Sequence, residues 1–114
     1  MPLPEFTKRL VEVKLLAYCH NKVPKHARQK VKIYFKVRGD NVTIYEARPY
    51  HLDSSVWKER PVARFRFDQE SKKWSLYCLN KNSKWHRYTE AEPSINFDDL
   101  LKEIDRDPTG TFWV

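Results

Sequence analysis

The chain has 114 residues, 40% hydrophobic and 14% aromatic, so it is long enough for one hydrophobic core and its aromatic content excludes a disordered chain. Its 22 basic and 15 acidic residues give a net charge of +7, which favours an acidic partner such as nucleic acid or serves solubility. The sequence shows no signal peptide pattern and no apolar run of membrane-spanning length, which predicts a cytoplasmic protein. It has no paired cysteine motif, so Cys19 and Cys78 are predicted to be reduced thiols.

Residues 4–20 have the apolar spacing of an amphipathic helix. The stripe predicted to face the core consists of Phe6, Leu10, Val13 and Ala17, with Leu16 at its edge. A smaller apolar group lies on nearly the opposite side and consists of Val11, Leu15 and Tyr18. Because a small domain covers one face of a terminal helix, we expect this second group to be covered by the C-terminal residues TFWV or by a second copy in a homodimer.

Alternation of apolar and polar residues predicts five strands, at residues 30–38, 41–48, 61–67, 73–79 and 84–88. Residues 49–60 have no clear period and are predicted to be a long loop. Short polar turns between the other strands favour antiparallel pairing. Within the last strand, KWHRY, Trp85 is predicted to point into the core, which leaves His86 and Tyr88 exposed.

A second helix is predicted after Asn96, a residue suited to the N-cap, with Ile95 and Leu100 forming a hydrophobic staple. The order of elements predicts a single α+β domain over residues 1–114, with helices packed on one face of a curved antiparallel sheet. Its buried residues are predicted to include Phe35, Phe65, Phe67, Trp74, Leu76, Leu100 and Ile104.

Five segments recur together in a known family: EARP (46–49), PVARFRF (61–67), KWSLY (73–77), KWHRY (84–88) and DRDPTGTFW (105–113). In these segments the chain resembles a bacterial family known as a domain of unknown function, number 3024 in that series. The resemblance implies a compact stand-alone protein, in some members carried on a mobile gene cassette, and it implies no activity. The family often has cysteine where this chain has Thr111, so a role for that cysteine would not apply here.

A basic strand face is the leading candidate for function. The residues expected to point outward from the strands are Lys32, Tyr34, Lys36, Arg38, Arg64, Arg66 and Tyr77. Lysine and arginine neutralise phosphates and tyrosine stacks on bases, so this mixture suits single-stranded nucleic acid. A solvated face, or one covered by the acidic second helix, would produce the same sequence pattern.

Two other classes of function remain open in the sequence. A small-molecule-binding protein or enzyme would use a pocket formed by Glu46, Arg48, His51, Trp57, His86 and Tyr88. A protein–protein interaction subunit would use the Val11, Leu15 and Tyr18 group. We expect no catalytic residues, no cofactor and no metal site, because the histidines and cysteines lack the spacing of zinc ligands and no nucleophile motif is present.

Overall fold

The computed structural model describes residues 3–113 and contains an antiparallel sheet with helices at both ends of the chain. The α-helices are α1 (Glu5–Lys22) and α2 (Phe97–Arg106), and a short 3₁₀ turn covers Lys25–Ala27. The strands are β1 (Lys32–Arg38), β2 (Asn41–Tyr50), β3 (Asp53–Asp68), β4 (Lys73–Leu79) and β5 (Trp85–Arg87). They pair in the order β1-β2-β3-β4-β5, which confirms the predicted α+β fold and its meander.

Both helices pack on the same side of the sheet, here called the inner face. Val11 and Leu15 of α1 share one hydrophobic cluster with Phe65 of β3 and Ile104 of α2. Burial follows the predicted alternation along β4, where Trp74, Leu76 and Cys78 are buried. Of the seven predicted core residues, six are buried and Phe35 is partly buried against the cluster. The opposite side of the sheet is here called the outer face, and neither α1 nor α2 packs on it.

The predicted orientation of α1 is wrong. Phe6 and Val13 of the expected core stripe are 79% and 66% exposed, whereas Val11 and Leu15 are at most 1% exposed. The predicted homodimer contact through Val11, Leu15 and Tyr18 is therefore wrong, because Val11 and Leu15 lie inside the core of their own chain. The helix has two apolar stripes, and its period alone does not tell which one faces the sheet.

Ion pairs between the two helices lie beside the buried stripe of α1. The Lys14 ammonium lies 2.6 Å from the Asp98 carboxylate, and Lys22 lies 3.1 Å from Asp105. The Tyr18 hydroxyl donates to Asp105 as well. These residues flank Val11 and Leu15, so the side of α1 that carries them faces the acidic helix α2. The basic N-terminal part and the acidic C-terminal part of the chain thus neutralise each other partly.

At the start of α2, the predicted N-cap is confirmed and the predicted hydrophobic staple is not. The Asn96 side chain accepts a hydrogen bond from the Asp98 backbone N–H at 3.0 Å, which satisfies one free donor of the first turn. Phe97 and Leu100 are buried as expected. Ile95, however, is 72% exposed, so the predicted packing of Ile95 on Leu100 is wrong.

Residues 49–60, predicted to be a loop, belong to strands. β2 continues to Tyr50 and β3 begins at Asp53, with Arg48 paired to Lys58 and Pro49 to Trp57. β1 pairs with β2 only as far as Ala47. Beyond that point β2 is an edge strand, where the missing N–H of a proline breaks no ladder hydrogen bond. Residues 48–58 therefore extend from the sheet as a two-stranded ribbon, here called the arm.

The last strand faces the opposite way from the prediction. Trp85 pairs with Leu79 and lies on the outer face, whereas Tyr88 is 4% exposed. The Tyr88 ring packs on Phe112, with ring centroids 4.9 Å apart, and its hydroxyl bonds to Thr109. The sequence rule that a strand tryptophan is buried fails because the C-terminal segment supplies a site for the tyrosine instead.

The segment after α2 is held by one carboxylate. Asp107 accepts backbone hydrogen bonds from Thr111, Phe112 and Trp113 at 2.8, 3.1 and 2.9 Å. Burial alone would raise the pKa of Asp107, but these three donors outweigh it and hold the pKa below its ordinary value. Phe112 is fully buried, and Arg60 donates to its carbonyl oxygen. The shape of this segment thus depends on side chains rather than on helix or sheet.

Candidate nucleic-acid interface

Strand pairing places all seven predicted contact residues on the outer face. The registers align one row across the whole sheet, consisting of Lys36, Thr43, Arg64, Tyr77 and Arg87. A second row contains Arg38, Asn41, Arg66 and Ser75. Lys32 and Tyr34 lie on the same side of β1, four and two residues before Lys36. The acidic helix α2 does not cover this face, because it packs on the inner face with α1.

Three aromatic residues that the sequence reasoning missed lie among these cations. Tyr45 stacks on Tyr34 with ring centroids 5.5 Å apart. Trp85 lies 4.4 Å below the Arg64 guanidinium, and Trp57 lies 4.1 Å from the Lys32 ammonium. Tyr45 was detectable, because the alternation of β2 assigns it to the outer face. Trp57 was not, because the register shift opposite Ile44 and Tyr45 changes the alternation of β3 by one residue.

The outer face is strongly positive. Its basic residues are Lys32, Lys36, Arg38, Arg64, Arg66 and Arg87. Glu59 lies among them, 3.7 Å from Lys36, and Asp40 lies at the rim, 3.8 Å from Arg66. Both ion pairs are long and at least partly exposed to solvent, so each contributes little to stability.

One end of the outer face is concave. A cavity of about 340 Å³ lies there and is lined by Asp40, Arg66, Phe67, Asp68, Gln69, Ser75 and Tyr77. Asp68 is engaged in its own turn, since its carboxylate accepts from the Ser71 hydroxyl at 2.8 Å, which lowers its pKa. The wall of the cavity contains both a ring that can stack and groups that can form hydrogen bonds: the Tyr77 ring, the Arg66 guanidinium and the Ser75 hydroxyl.

The alternative pocket predicted from the sequence is not assembled. Of its six residues, Glu46 and Arg48 line a common cavity of about 320 Å³, together with Val23 and Trp113 among others. The other four lie apart: Trp57 on the outer face, His51 at the arm tip, His86 beside Cys78 and Tyr88 in the core. The predicted composite site is therefore wrong, since its members do not converge on one ligand position.

Glu46 has a structural explanation. Its buried carboxylate lies 3.0 Å from Arg60 Nε and 3.4 Å from Arg48 Nε, so two guanidinium groups compensate its charge. Arg60 in turn donates to the Phe112 carbonyl oxygen, which connects β3 to the C-terminal segment. The carboxylate is held as an acceptor between two cations, and this is the arrangement of a fixed ion pair rather than of a general base.

Among the described residues, neither metal-ligand geometry nor thiol exposure indicates a reactive site. Within residues 3–113, no group of three or more His, Cys, Asp or Glu side chains is arranged to hold a metal ion. Both cysteines are buried free thiols. Burial raises the pKa of Cys19 to about 11 and also raises that of Cys78, which disfavours the reactive thiolate.

No helix in the described part of the chain has the length and apolar character needed to cross a membrane.

Comparison with known proteins places the chain in a family without an assigned activity. No curated protein and no solved structure matches the sequence. A family model, Domain of unknown function (DUF3024), matches residues 3–114, which is nearly the whole chain. The chain therefore belongs to the DUF3024 family.

Proposed function

We propose that the protein is a non-enzymatic binding module for single-stranded nucleic acid and that the outer face is its contact surface. The observation that carries this proposal is the row of Lys36, Arg64, Tyr77 and Arg87, which crosses the sheet on the face that α1 and α2 leave uncovered. Four gaps between strands span roughly 19 Å, at about 4.8 Å for each gap, which is enough for several nucleotides.

The two kinds of side chain divide the work of binding. The cations of β1 and β3 neutralise phosphates and release their counterions, which gives an affinity that depends steeply on salt. The rings of Tyr77 and Trp85 stack on bases, and a ring on a sheet face reaches only bases that are already unpaired. The ligand is therefore a single strand, bound weakly and with little dependence on sequence.

In the free protein, cations of the outer face lie close to its aromatic rings. This arrangement affects how a base would bind there. Arg64 lies over Trp85, and Lys36 lies 4.8 Å from the Tyr45 ring centroid. A base can stack on the guanidinium plane of Arg64 itself, while a phosphate draws Lys36 away from Glu59. The concave end beside Tyr77 and Arg66 offers room for one flat ring.

An acidic protein surface is the competing partner, because it would satisfy the same cations. The partly exposed aromatic residues favour nucleic acid, since an acidic protein gives Tyr77 and Trp85 no base to stack on. The proposal includes a cytoplasmic location, supported by the two free thiols. It does not include a homodimer through Val11 and Leu15, which lie in the core.

The test is a fluorescence-anisotropy titration with a labelled oligothymidylate at low and moderate salt. We expect weak binding at low salt that falls steeply as salt rises. The double charge reversal Lys36→Glu with Arg64→Glu should abolish it. The matched control reverses Lys102 and Arg106 to Glu, which changes the net charge equally but lies on α2, on the other side of the sheet.

The outcomes separate the two partners. Loss of binding in the outer-face variant and its retention in the α2 variant support the proposal. Absence of binding at low salt, or equal loss in both variants, rules out a specific outer-face site. Tyr77→Ala should cost about 1–3 kcal/mol of binding through lost stacking. If Tyr77→Ala leaves affinity unchanged while the charge reversal abolishes it, the ligand is bound by charge alone, as an acidic protein would be.

A further inference from the structure

The side of α1 that faces away from the sheet carries an exposed apolar stripe. Its large members are Phe6, Leu10, Val13 and Leu16, which are 79%, 46%, 66% and 63% exposed, and Ala17 continues it. Single exposed apolar residues are ordinary on protein surfaces, but a contiguous stripe along three helical turns marks an interaction surface. The core of this chain is complete without the stripe, since Val11 and Leu15 on the opposite side of α1 are buried.

A groove extends this apolar surface toward α2. It has a volume of about 520 Å³ and is lined in part by Phe6, Leu10, Trp74, Ile95 and Phe97. Ile95 is 72% exposed at its edge. The exposed side of α1 and the segment before α2 thus form one continuous apolar surface, wider than the helix alone.

We propose that this surface is a homodimer interface in which α1 packs antiparallel against α1 of a second copy. Phe6, Leu10, Val13 and Ala17 are spaced by four, three and four residues, which is the spacing of a helix-pairing seam. In a two-fold antiparallel register, Leu10 lies opposite Val13 of the second copy and Phe6 lies opposite Ala17. The largest side chain therefore meets the smallest one at both ends of the seam.

Charge decides between the antiparallel and the parallel arrangement. In a parallel pair in register, Arg9 of each copy would lie beside Lys14 of the other, which places like charges together twice. Lys14 cannot turn away without loss, because its ammonium is bound to Asp98 at 2.6 Å. In the antiparallel pair, Arg9 lies beside Leu16 of the second copy and covers it with its methylene stem, while Lys14 meets Thr7.

The borders of the stripe also argue against a lipid surface as the occupant. Glu5 and Glu12 lie on the same side of the helix as Arg9, so the flank is of mixed charge, whereas helices that lie on membranes have a strongly basic polar side. Packing against a second copy does not require a strongly basic side. Two-fold symmetry brings the N-terminal part of this mixed-charge flank against the C-terminal part of the same flank in the other copy. The interface lies across the core from the outer face and does not depend on the proposed function.

Sedimentation velocity at high micromolar protein concentration tests the interface. We expect a dimer for the wild-type chain and a monomer for Val13→Asp, with unchanged circular dichroism because Val13 lies outside the core. The matched control is Leu52→Asp, which changes an equally exposed apolar residue at the tip of the arm and should leave the dimer intact. A monomeric wild type, or a Val13→Asp variant that stays dimeric, overturns the proposal.

Cysteine cross-linking tests the orientation. Leu10→Cys chains mixed with Val13→Cys chains should form a disulfide-linked pair faster than either variant alone, because the antiparallel register brings these two positions together. Rapid self-linking of each variant alone would indicate the parallel arrangement and would overturn the register. Cys19 and Cys78 are buried in all of these proteins and serve as an internal background.

Discussion

The two faces of the sheet come from the same five strands and have opposite chemistry. The inner face is covered by both helices, and Phe65 and Leu76 on it are at most 1% exposed. The outer face keeps Arg64, Tyr77 and Trp85 accessible to solvent to different degrees, with cations placed against rings. The inner face therefore carries the stability of the fold, and the outer face is free to bind. Substitutions on the two faces should separate these two properties.

The largest effect should come from the inner face. Phe65→Ala removes a fully buried ring that packs on Phe97 at 4.6 Å between centroids, and it should lower the free energy of unfolding by roughly 3–5 kcal/mol. The outer-face counterpart, Tyr34→Ala, should cost less than about 1 kcal/mol. Urea denaturation of the three proteins measures both values. Equal losses would mean that the outer face is part of the core energetics.

The C-terminal segment should rank second. Asp107→Asn keeps one acceptor oxygen and a side chain that tolerates the left-handed backbone at this position, where φ is 44°. It removes the charge that receives three backbone hydrogen bonds, so it should cost about 1–3 kcal/mol. Glu92→Gln in the exposed segment before α2 is a suitable comparison for the loss of one carboxylate.

This contribution should depend on pH in a defined direction. The folded-state pKa of Asp107 is lowered from 3.8, so its stabilisation is fully present above that value and is lost as pH falls through the ordinary and then the lowered pKa. The difference in unfolding free energy between the wild type and Asp107→Asn should therefore shrink below pH 3.8. A difference that stays constant down to strongly acidic pH would contradict the role of the charged carboxylate.

A smaller effect is expected from the contact between Arg64 and Trp85. A double-mutant cycle with Arg64→Met and Trp85→Leu should give a coupling of about 0.5–1 kcal/mol in stability, as for a cation over a ring at an exposed site. If the coupling disappears when oligothymidylate is present, the base has replaced one of the two partners. A coupling of several kcal/mol would instead make this contact a structural part of the sheet.

The smallest effect should be at the arm tip. Leu52 is 73% exposed, so Leu52→Asp should change the free energy of unfolding by less than about 0.5 kcal/mol. Thermal unfolding followed by circular dichroism measures this change. A larger loss would show that the arm packs against another part of the molecule.

The sequence predicted the sheet better than it predicted the surfaces. Strict alternation in KVKIYFKVR and PVARFRF assigned the basic residues to one side, and the pairing registers agree. The orientation of α1 was predicted wrongly, because each of its two stripes could fill the core and the sequence alone does not show which one meets the sheet and α2. The orientation of Trp85 was lost for a similar reason, since it depends on the distant residue Phe112.

Within the candidate site, the cations were found more readily than the rings. Lysine and arginine at alternate positions are visible in any single strand. Trp57 can be assigned only if its segment is recognised as a strand, although the partner strand contains Pro49. Position 49 is compatible with pairing only because β1 ends before it, and this is a property of the neighbouring strand. Local sequence rules cannot contain that information.

The arm has a consequence for the motions of the protein. Its backbone hydrogen bonds connect only β2 and β3, without a third strand beside them. Opening of residues 48–58 therefore breaks few contacts with the core and does not require the rest of the sheet to unfold. In native-state hydrogen exchange, amides of the arm should exchange through local opening, orders of magnitude faster than those of Phe65 and Leu76. The molecule would thus combine a rigid sheet with a ribbon that bends independently.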